Sequence, residues 1–246
     1  MKILFSPSES KSEMANLKPI SKHSFIFEEL YEKRFEVLKI YNDFIKSAAL
    51  TELQKFFELK NEKEVQKLKE DIFLKPTCKA IQRYDGVAFS HLNFAALDEK
   101  SQNFILENTL IFSNLFGVIL ASDEIPNYKF KQGAKLGSLS VEKFYNTHFS
   151  KALDEFLQDE EIIDLRAGFY EKFYTIKQAF SSYKFLKQGK IVSHFAKAYR
   201  GILLQKAALC KAKNNDDLLE NLPQNLKLKD IKIQGLKTEI TVEIEQ

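Results

Sequence analysis

Helical and strand-like patterns alternate along this chain from end to end, and no linker rich in Pro, Gly or Ser interrupts them. Lys2–Phe5 is a short apolar run typical of a buried strand, whereas Phe25–Ala49 and Val141–Leu157 carry apolar residues at helical spacing. This alternation is typical of an α/β protein, in which helices flank one sheet. We therefore predict a single domain over residues 1–246 with a mixed central sheet, in which residues 25–72 are candidates for a helical subdomain.

The remaining helices and strands are predicted from the same two spacings. Residues 110–120 are apolar and β-like, which predicts a buried central strand with a bend near Asn114. Near the C-terminus, Ile240, Val242 and Ile244 alternate with polar residues, which predicts a half-exposed strand at an edge of the sheet. Further helices are predicted over residues 51–57, 63–72, 97–107 and 196–213, and further strands over residues 87–89, 162–165, 173–176 and 191–195.

The chain contains 37 Lys and Arg residues, but only four of them are arginines. Because lysine is the usual cation here, each arginine can mark a place where a planar, forked donor is needed. The formal net charge of +3 neither requires nor excludes a polyanionic partner, so the clustering of the cations has to decide. The arginines are Arg34, Arg83, Arg166 and Arg200.

The segment Ser193–Gly201 combines one of these arginines with the start of a helix. The helix predicted over residues 196–213 carries five cations and no acid. Lys197 and Arg200 are three residues apart and hence neighbours on its first turn, where unpaired N–H groups favour an anion. His194 is close enough in sequence to help bind that anion. The alternative is a solvated pair of cations without a dedicated partner.

Loops that follow two predicted strands offer further polar groups. Asp164 and Arg166 are two residues apart at a strand end, where α/β sheets place ligand sites. That spacing is equally typical of an ion pair that braces the turn at Gly168. Ser6 and Ser8 follow the first strand, where a hydroxyl can contact a ligand, although a Ser-Pro pair is also simply a turn.

Several classes of function lack their sequence signals. No glycine-rich phosphate loop and no nucleophile elbow is present, so no catalytic residue can be assigned. The four histidines and two cysteines show no metal-ligand spacing, and we expect neither a metal nor a cofactor. The N-terminal apolar run is too short for a signal peptide, and no run reaches membrane-spanning length. We therefore expect a soluble cytoplasmic protein with reduced cysteines and no membrane partner.

Five segments of the chain, in the same order, resemble motifs of the YaaA family of bacterial peroxide stress resistance proteins. The resemblance runs over nearly the whole chain. Two departures are Phe144-Tyr145, where the family often has an aromatic pair with Trp, and Lys129, which replaces a common Arg. The segments are S-P-S-E-S-K at residues 6–11, Y-D-G-V-A-F at 84–89, S-N-L-F-G-V at 113–118 with Asp123 and Y-K-F at 128–130 downstream, D-L-R-A-G-F-Y at 164–170, and F-A-K-A-Y-R-G at 195–201.

This resemblance implies a single α/β domain with a positively charged cleft, DNA binding, and a role in limiting unincorporated iron during peroxide stress. We accordingly expect a cytoplasmic protein that contacts DNA phosphates without reading bases, with Tyr128 or Tyr199 available to stack on unpaired bases. The sequence does not determine the oligomeric state, and a monomer is favoured. The cations expected to line one cleft are Lys11, Lys129, Arg166, Lys197 and Arg200, supported by Ser6, Ser8, Glu9, Tyr84, Asp164 and His194.

A rival hypothesis makes the same cleft the active site of an enzyme that acts on a phosphorylated or nucleotide-like small molecule. The motif residues are polar and lie mostly in predicted loops, which is where catalytic groups usually lie. Glu9 or Asp164 could serve as a base if burial raised its pKa. A deep, closed pocket would favour the enzyme, whereas an open groove about as wide as a duplex would favour DNA.

Overall fold

Strands and helices alternate along the chain, and the prediction of a mixed α/β fold is confirmed. The structure, a computed structural model, describes residues 1–245 apart from the side chain of His194. The strands are β1 (Lys2–Phe5), β2 (Thr77–Lys79), β3 (Thr109–Ser113), β4 (Gly117–Leu120), β5 (Glu124–Pro126), β6 (Ile162–Leu165), β7 (Phe180–Lys187), β8 (Lys190–Ile191), β9 (Leu226–Gln234) and β10 (Lys237–Ile244). The helices are α1 (Tyr31–Ser47), α2 (Leu50–Phe57), α3 (Glu62–Leu68), α4 (Ala80–Arg83), α5 (Val87–Leu92), α6 (Glu99–Asn108), α7 (Val141–Leu157), α8 (Ser193–Cys210) and α9 (Asn215–Glu220), with short 3-10 helices at Lys22–Ser24, Glu28–Leu30, Phe94–Ala96 and Gly168–Phe173.

Eight strands form one mixed sheet in the order β4-β3-β1-β6-β7-β10-β9, with β8 paired to β7. The inner strands β3, β1, β6, β7 and β10 run parallel, whereas β4, β8 and β9 run antiparallel to their neighbours. Strands β3 and β6 are buried over their whole length, as expected for parallel strands with both faces covered. Strands β2 and β5 form a separate antiparallel pair.

At β1, successive strands of the chain switch from one side of the sheet to the other. Strand β1 pairs with β3 along one edge and with β6 along the other, so the chain first builds the sheet to one side of β1 and then crosses to the opposite side. In open α/β sheets the loops diverge at such a point and leave a crevice at the carboxyl ends of the strands. The residues that follow β1 and β6 therefore lie at the place where a ligand site is expected.

Helix α7 illustrates how apolar spacing builds the core. Val141, Tyr145, Phe149 and Leu153 recur every four residues and all are buried, so one stripe of this helix faces the core. The predicted bounds of this helix are confirmed. The notion of a separate helical subdomain over residues 25–72 stays a prediction.

Helix α8 reaches the carboxyl edge of the sheet because it packs closely against α5. A Cβ atom at Gly201 would lie 1.9 Å from the carbonyl oxygen of Ala88, so the two backbones meet at a glycine. Tyr199 also stacks on Phe185 of β7, with 5.8 Å between the ring centroids. These contacts fix the position of the neighbouring Arg200.

Three of the strand predictions are wrong. Residues 87–89 form the start of α5, because a short apolar run fits a buried helical turn as well as a strand. Residues 173–176 include the end of a 3-10 helix, and their aromatic side chains are buried without sheet pairing. Residues 191–195 contain the last residue of β8 and then the first turn of α8, which begins at Ser193.

Three predicted helices have different bounds in the structure. The helix over residues 25–49 begins at Tyr31, after a 3-10 helix at Glu28–Leu30, and the helix over residues 63–72 ends at Leu68. The helix over residues 196–213 is Ser193–Cys210, so Lys197 and Arg200 lie beyond its first turn and not on it.

The strand predictions also change in detail. Residues 110–120 form two antiparallel strands rather than one bent strand, because Gly117 adopts a φ of +70° and the chain reverses after Ser113. Strand β10 is one position inside the edge of the sheet, since β9 lies beyond it. Strand β9 was not predicted, although its apolar and polar residues largely alternate.

Candidate functional site

A cleft of about 340 Å³ opens at the carboxyl ends of β1 and β6. We call it the Arg200 cleft and define it by Ser6, Ser8, Glu9, Lys197 and Arg200, which line it together with the first turn of α5. Small-molecule sites typically have volumes of about 300–1,000 Å³, so the cleft is at the small end of that range. The structure thus places the first and last of the five family motifs side by side.

The loop after β1 holds its two hydroxyl groups differently. The Ser6 Oγ accepts a hydrogen bond from the Ala167 N–H at 2.8 Å, which ties this loop to the end of β6. The Ser8 Oγ faces Gly86, where an added Cβ atom would lie 2.5 Å away and where φ is +125°. A glycine is required at this position for its backbone conformation and to leave room for the serine. Ser6 is therefore structural, and Ser8 is the hydroxyl available to a ligand.

Arg200 is the arginine of the cleft, and its guanidinium makes no hydrogen bond or ion pair with any group in the described part of the chain. The side chain is half-buried, and burial lowers its pKa below the usual value, an effect that Asp164 partly offsets. An arginine nevertheless stays charged at neutral pH. Lys197, one turn earlier on α8, is exposed at the rim of the same cleft. The two cations thus present unoccupied donors to one small volume.

Arg166 follows strand β6, but unlike Arg200 its guanidinium is engaged by protein groups. Its guanidinium donates to both carboxylate oxygens of Asp164 at 2.9 and 2.8 Å, and to the carbonyl oxygens of Tyr170 and Tyr174 at 3.2 and 3.0 Å. It also lies 4.5 Å from the ring centroid of Phe112. The Asp164–Arg166 pair is buried and braces the turn after β6. These contacts correspond to the ion pair that the sequence indicated as the alternative to a ligand site.

The other two arginines are also engaged with the protein itself. Arg34 is fully buried and donates to the carbonyl oxygens of Phe116 and Val118 at 2.9 and 2.8 Å. Arg83 is fully buried and donates to the carbonyl oxygens of Ser12 and Ile125. Both hold loops to the core through a forked donor.

Arg200 also borders a second cavity of about 520 Å³, which we call the Asp164 cavity and define by Asp164, Arg166, Arg200, Lys184 and Glu239. Its charges are largely compensated. Asp164 is bonded to Arg166, and Glu239 lies 3.5 Å from the ammonium of Lys184. Arg200 is the charged group that the two cavities share.

Lys11 and Lys129 line a third cavity of about 550 Å³ and not the Arg200 cleft. We call it the Lys75 cavity; Glu9 and Ser10 separate it from the cleft, since they border both. The Lys11 ammonium donates to the carbonyl oxygens of Ser8 and Glu9 at 3.3 and 3.2 Å and lies 4.1 Å from the ring centroid of Tyr128. Burial lowers the pKa of Lys11 to about 7; Glu9 partly offsets this effect, and the positive charges of Lys129 and Arg83 add to it.

Tyr84 and Tyr128 form a buried chain of hydroxyl groups. Their hydroxyl oxygens lie 2.9 Å apart, and the Tyr128 hydroxyl lies 2.8 Å from the Ser113 Oγ. Burial raises the pKa of both phenols. Tyr128 and Tyr199 are 3% and 6% exposed, so neither ring has a free face on which a base could stack.

The five cations predicted to share one cleft therefore occupy three settings. Lys197 and Arg200 lie in the Arg200 cleft, Lys11 and Lys129 in the Lys75 cavity, and Arg166 in a buried ion pair. The side chain of His194 lies outside the described part of the structure. Sequence reasoning missed Lys75, which nothing in its local sequence distinguishes from the many other lysines.

The described part of the chain shows neither a cluster of metal-ligating side chains nor a helix that could span a membrane. Residues 1–245 contain no group of three or more His, Cys, Asp or Glu side chains that could hold a metal ion. Over the same residues, no helix has both the length and the apolar character needed to cross a membrane.

Comparisons with known proteins identify relatives along the whole chain. A family model described as peroxide stress protein YaaA matches residues 1–231. An uncharacterised protein of Campylobacter jejuni is 62% identical over 244 residues, which cover 99% of each chain. A UPF0246 protein of Corynebacterium glutamicum is 35% identical over 89% of this chain and 90% of its own, and one of Malacoplasma penetrans is 28% identical over 96% and 93%.

Proposed function

The chain belongs to the family of the peroxide stress protein YaaA, and from that premise we propose that it is a cytoplasmic stress-response protein that binds DNA phosphates at the Arg200 cleft. The contact involves the backbone and not the base edges. Phosphate recognition of this kind is independent of sequence and depends strongly on salt.

The observation that supports this proposal most directly is the state of the Arg200 guanidinium. It is the one arginine in the described part of the chain without a hydrogen-bond acceptor, whereas Arg34, Arg83 and Arg166 all donate to carbonyl or carboxylate oxygens. A half-buried cation without a hydrogen-bond or ion-pair partner has lost part of its hydration and gains from an anion. Lys197, three residues away on the same helix face, adds a second charge.

The test is the salt dependence of binding to a labelled duplex, followed by fluorescence anisotropy. Each lost phosphate contact reduces the slope of log affinity against log salt by about 0.9. We expect Arg200→Ala and Lys197→Ala each to reduce the slope by about that amount and to weaken binding on all sequences alike. Lys206→Ala is the matched control, since Lys206 lies on α8 but lines none of the three cavities. An Arg200→Ala slope equal to that of the wild type would contradict the proposal.

The proposal includes the limitation of unincorporated iron, which rests on the family resemblance. In peroxide-treated cells that lack the gene, we expect the wild-type gene to lower the electron paramagnetic resonance signal of unincorporated iron. The Arg200→Ala gene should fail to do so at equal protein level. If it lowers the signal as fully as the wild type, iron limitation does not depend on this cleft.

A second candidate function is supported by the size of the cleft. A volume of about 340 Å³ at the β1 switch point of the sheet is small for a duplex and suits a phosphorylated or nucleotide-like small molecule. Thermal-shift measurements with nucleotides at millimolar concentration separate the two, since a bound ligand raises the melting temperature by mass action. A shift that Arg200→Ala abolishes would favour the enzyme.

A further inference from the structure

The Lys75 cavity is lined by five cations, and none of them forms an ion pair within the described part of the chain. Lys75 is only 9% exposed, and its ammonium has a single acceptor, the carbonyl oxygen of Lys67 at 3.0 Å. Two of its N–H groups therefore lack a protein partner. A buried ammonium in this state is costly unless something else compensates its charge. The five cations are Lys11, Lys67, Lys75, Arg83 and Lys129.

The positive charges lie close enough together to repel one another. Burial lowers the pKa of Lys11 and of Lys75 most. Glu9 partly offsets this for Lys11, and Glu70 and Glu13 do so for Lys75. Lys129 and Arg83 lower the pKa of Lys11 further, and Arg83 also lowers that of Lys75. A neighbouring like charge disfavours the charged form of each group, and perturbed groups that line a cavity mark a candidate binding site. An anion within the cavity would relieve both the repulsion and the loss of hydration.

The arrangement of acids around the cavity restricts the size of that anion. The four lining glutamates are all exposed, whereas four of the five cations are buried or half-buried. An extended polyanion such as a DNA strand would meet the acidic rim before it reached the buried cations. A small anion that passes the rim interacts mainly with the cations. The glutamates are Glu9, Glu13, Glu64 and Glu70.

We propose that the Lys75 cavity binds a small anion with two or more negative charges, of the phosphate or carboxylate class, at a site distinct from the Arg200 cleft. Lys75 and Lys129 supply the direct contacts, because their ammonium groups have free donors. Lys11 and Arg83 already donate to carbonyl oxygens and contribute through their charge. This site does not depend on the function proposed for the cleft.

Calorimetric titration of the full chain with pyrophosphate and with citrate, at low ionic strength, tests the proposal. We expect binding of at least one of them in the micromolar to low millimolar range. Lys129→Gln and Lys75→Met should each weaken that binding at least five-fold, and Arg200→Ala should leave it unchanged. Lys129 is half-buried at the cavity wall, so its variant remains informative if Lys75→Met does not fold.

Lys135→Gln is the matched control, since Lys135 is an exposed lysine outside all three cavities. It should bind the anion as the wild type does. The absence of binding of both probes by the wild type would overturn the proposal. Binding that Arg200→Ala abolishes while Lys129→Gln preserves would overturn it too, because the anion would then occupy the cleft.

Protonation gives a second readout of the same site. The pKa of Lys11 is about 7, and the groups that face it are Glu9, Lys129, Arg83 and the rings of Tyr84 and Tyr128. An anion in the cavity raises this pKa, so binding at pH 8 should take up protons from the buffer. Titrations in buffers with different heats of ionisation measure that uptake. Lys11→Met should remove it, and unchanged uptake in this variant would contradict the assignment.

Discussion

Arg166 and Arg200 carry the same signal in the sequence but have opposite roles in the structure. Both are rare arginines in family-like motifs, and both lie near the carboxyl ends of parallel strands. Arg166 is almost fully buried, and its guanidinium is engaged by one carboxylate and two carbonyl groups. Arg200 has no acceptor in the described part of the chain and borders two cavities. A forked donor thus marks a place where the fold is held together in one case and a place open to a ligand in the other.

The difference arises from what lies within reach of each side chain. Asp164 is two residues before Arg166 on the same strand end, so this guanidinium finds its partner locally. Arg200 is fixed by the packing of α8 on α5, which brings it near a serine loop and two cavities. Burial lowers its pKa, and the nearby Asp164 carboxylate, which partly offsets this effect, is already hydrogen-bonded to Arg166. A local partner can be read in the sequence, whereas an absent partner can only be seen once the chain is folded.

The largest expected effect is on stability. Arg166→Ala leaves the Asp164 carboxylate buried without its partner, which costs about 3–5 kcal/mol of unfolding free energy. Arg200→Ala removes a cation that makes no hydrogen bond or ion pair with the described part of the chain, so the free energy of unfolding should change by less than about 1 kcal/mol. Urea unfolding at pH 7 measures both values. Among variants that fold, Arg200→Ala should weaken DNA binding more than Arg166→Ala does.

The double substitution of Asp164 and Arg166 by Asn and Met gives a sharper form of this comparison. It removes both charges, so its cost should be well below that of Arg166→Ala alone. If Arg200→Ala destabilised the protein as much as Arg166→Ala, the distinction between the two arginines would be lost.

A second prediction concerns the glycine that seats Arg200. Gly201→Ala places a methyl group 1.9 Å from the Ala88 carbonyl oxygen, so α8 has to move away from α5. Overpacking of this kind costs about 1–3 kcal/mol. The displacement also moves Arg200, so DNA affinity and stability should fall together, unlike in Arg200→Ala. Circular dichroism melts and anisotropy measure the two effects.

Gly168→Ala serves as the control for this substitution. An added Cβ at Gly168 meets only the flexible Glu171 carboxylate, at 3.8 Å, and φ there is not in the left-handed region. This variant should retain both stability and binding. A Gly201→Ala protein that melts with the wild type would show that the two helices are free to separate.

Much of the fold could be predicted because it depends on local periodicity. Strands β1 and β6 and helix α7 begin and end where the apolar spacing places them. The failures occur where short apolar runs meet tertiary contacts. The turn at residues 87–89 becomes helical because it packs on α8, and the reversal after Ser113 depends on the positive φ of Gly117.

The site could be predicted only in part, for a related reason. The structure places Ser8, Lys197 and Arg200, which belong to the first and last family motifs, at one cleft. The separation of Lys11 and Lys129 into another cavity depends on how the loop at Glu9 and Ser10 folds between them and the cleft. Nothing in the spacing of residues along the chain encodes that division.

The smallest expected effect concerns Lys11, which shares one property with each arginine. Its ammonium donates to carbonyl groups, as Arg166 does, and it also borders a cavity, as Arg200 does. Its pKa is about 7 in the folded protein, against an ordinary lysine value of 10.5 in an unfolded chain. Between these pH values the unfolded state binds more protons, so the free energy of unfolding should rise from pH 7 towards pH 10.

Urea unfolding of the wild type and of Lys11→Met at pH 7, 8 and 9 isolates this contribution. The wild type should gain stability relative to the variant as the pH rises, by less than the limit of about 1.4 kcal/mol per pH unit because the side chain is only half-buried. Parallel curves would mean that the carbonyl groups and the Tyr128 ring keep the ammonium charged, and Lys11 would then resemble Arg166 rather than Arg200.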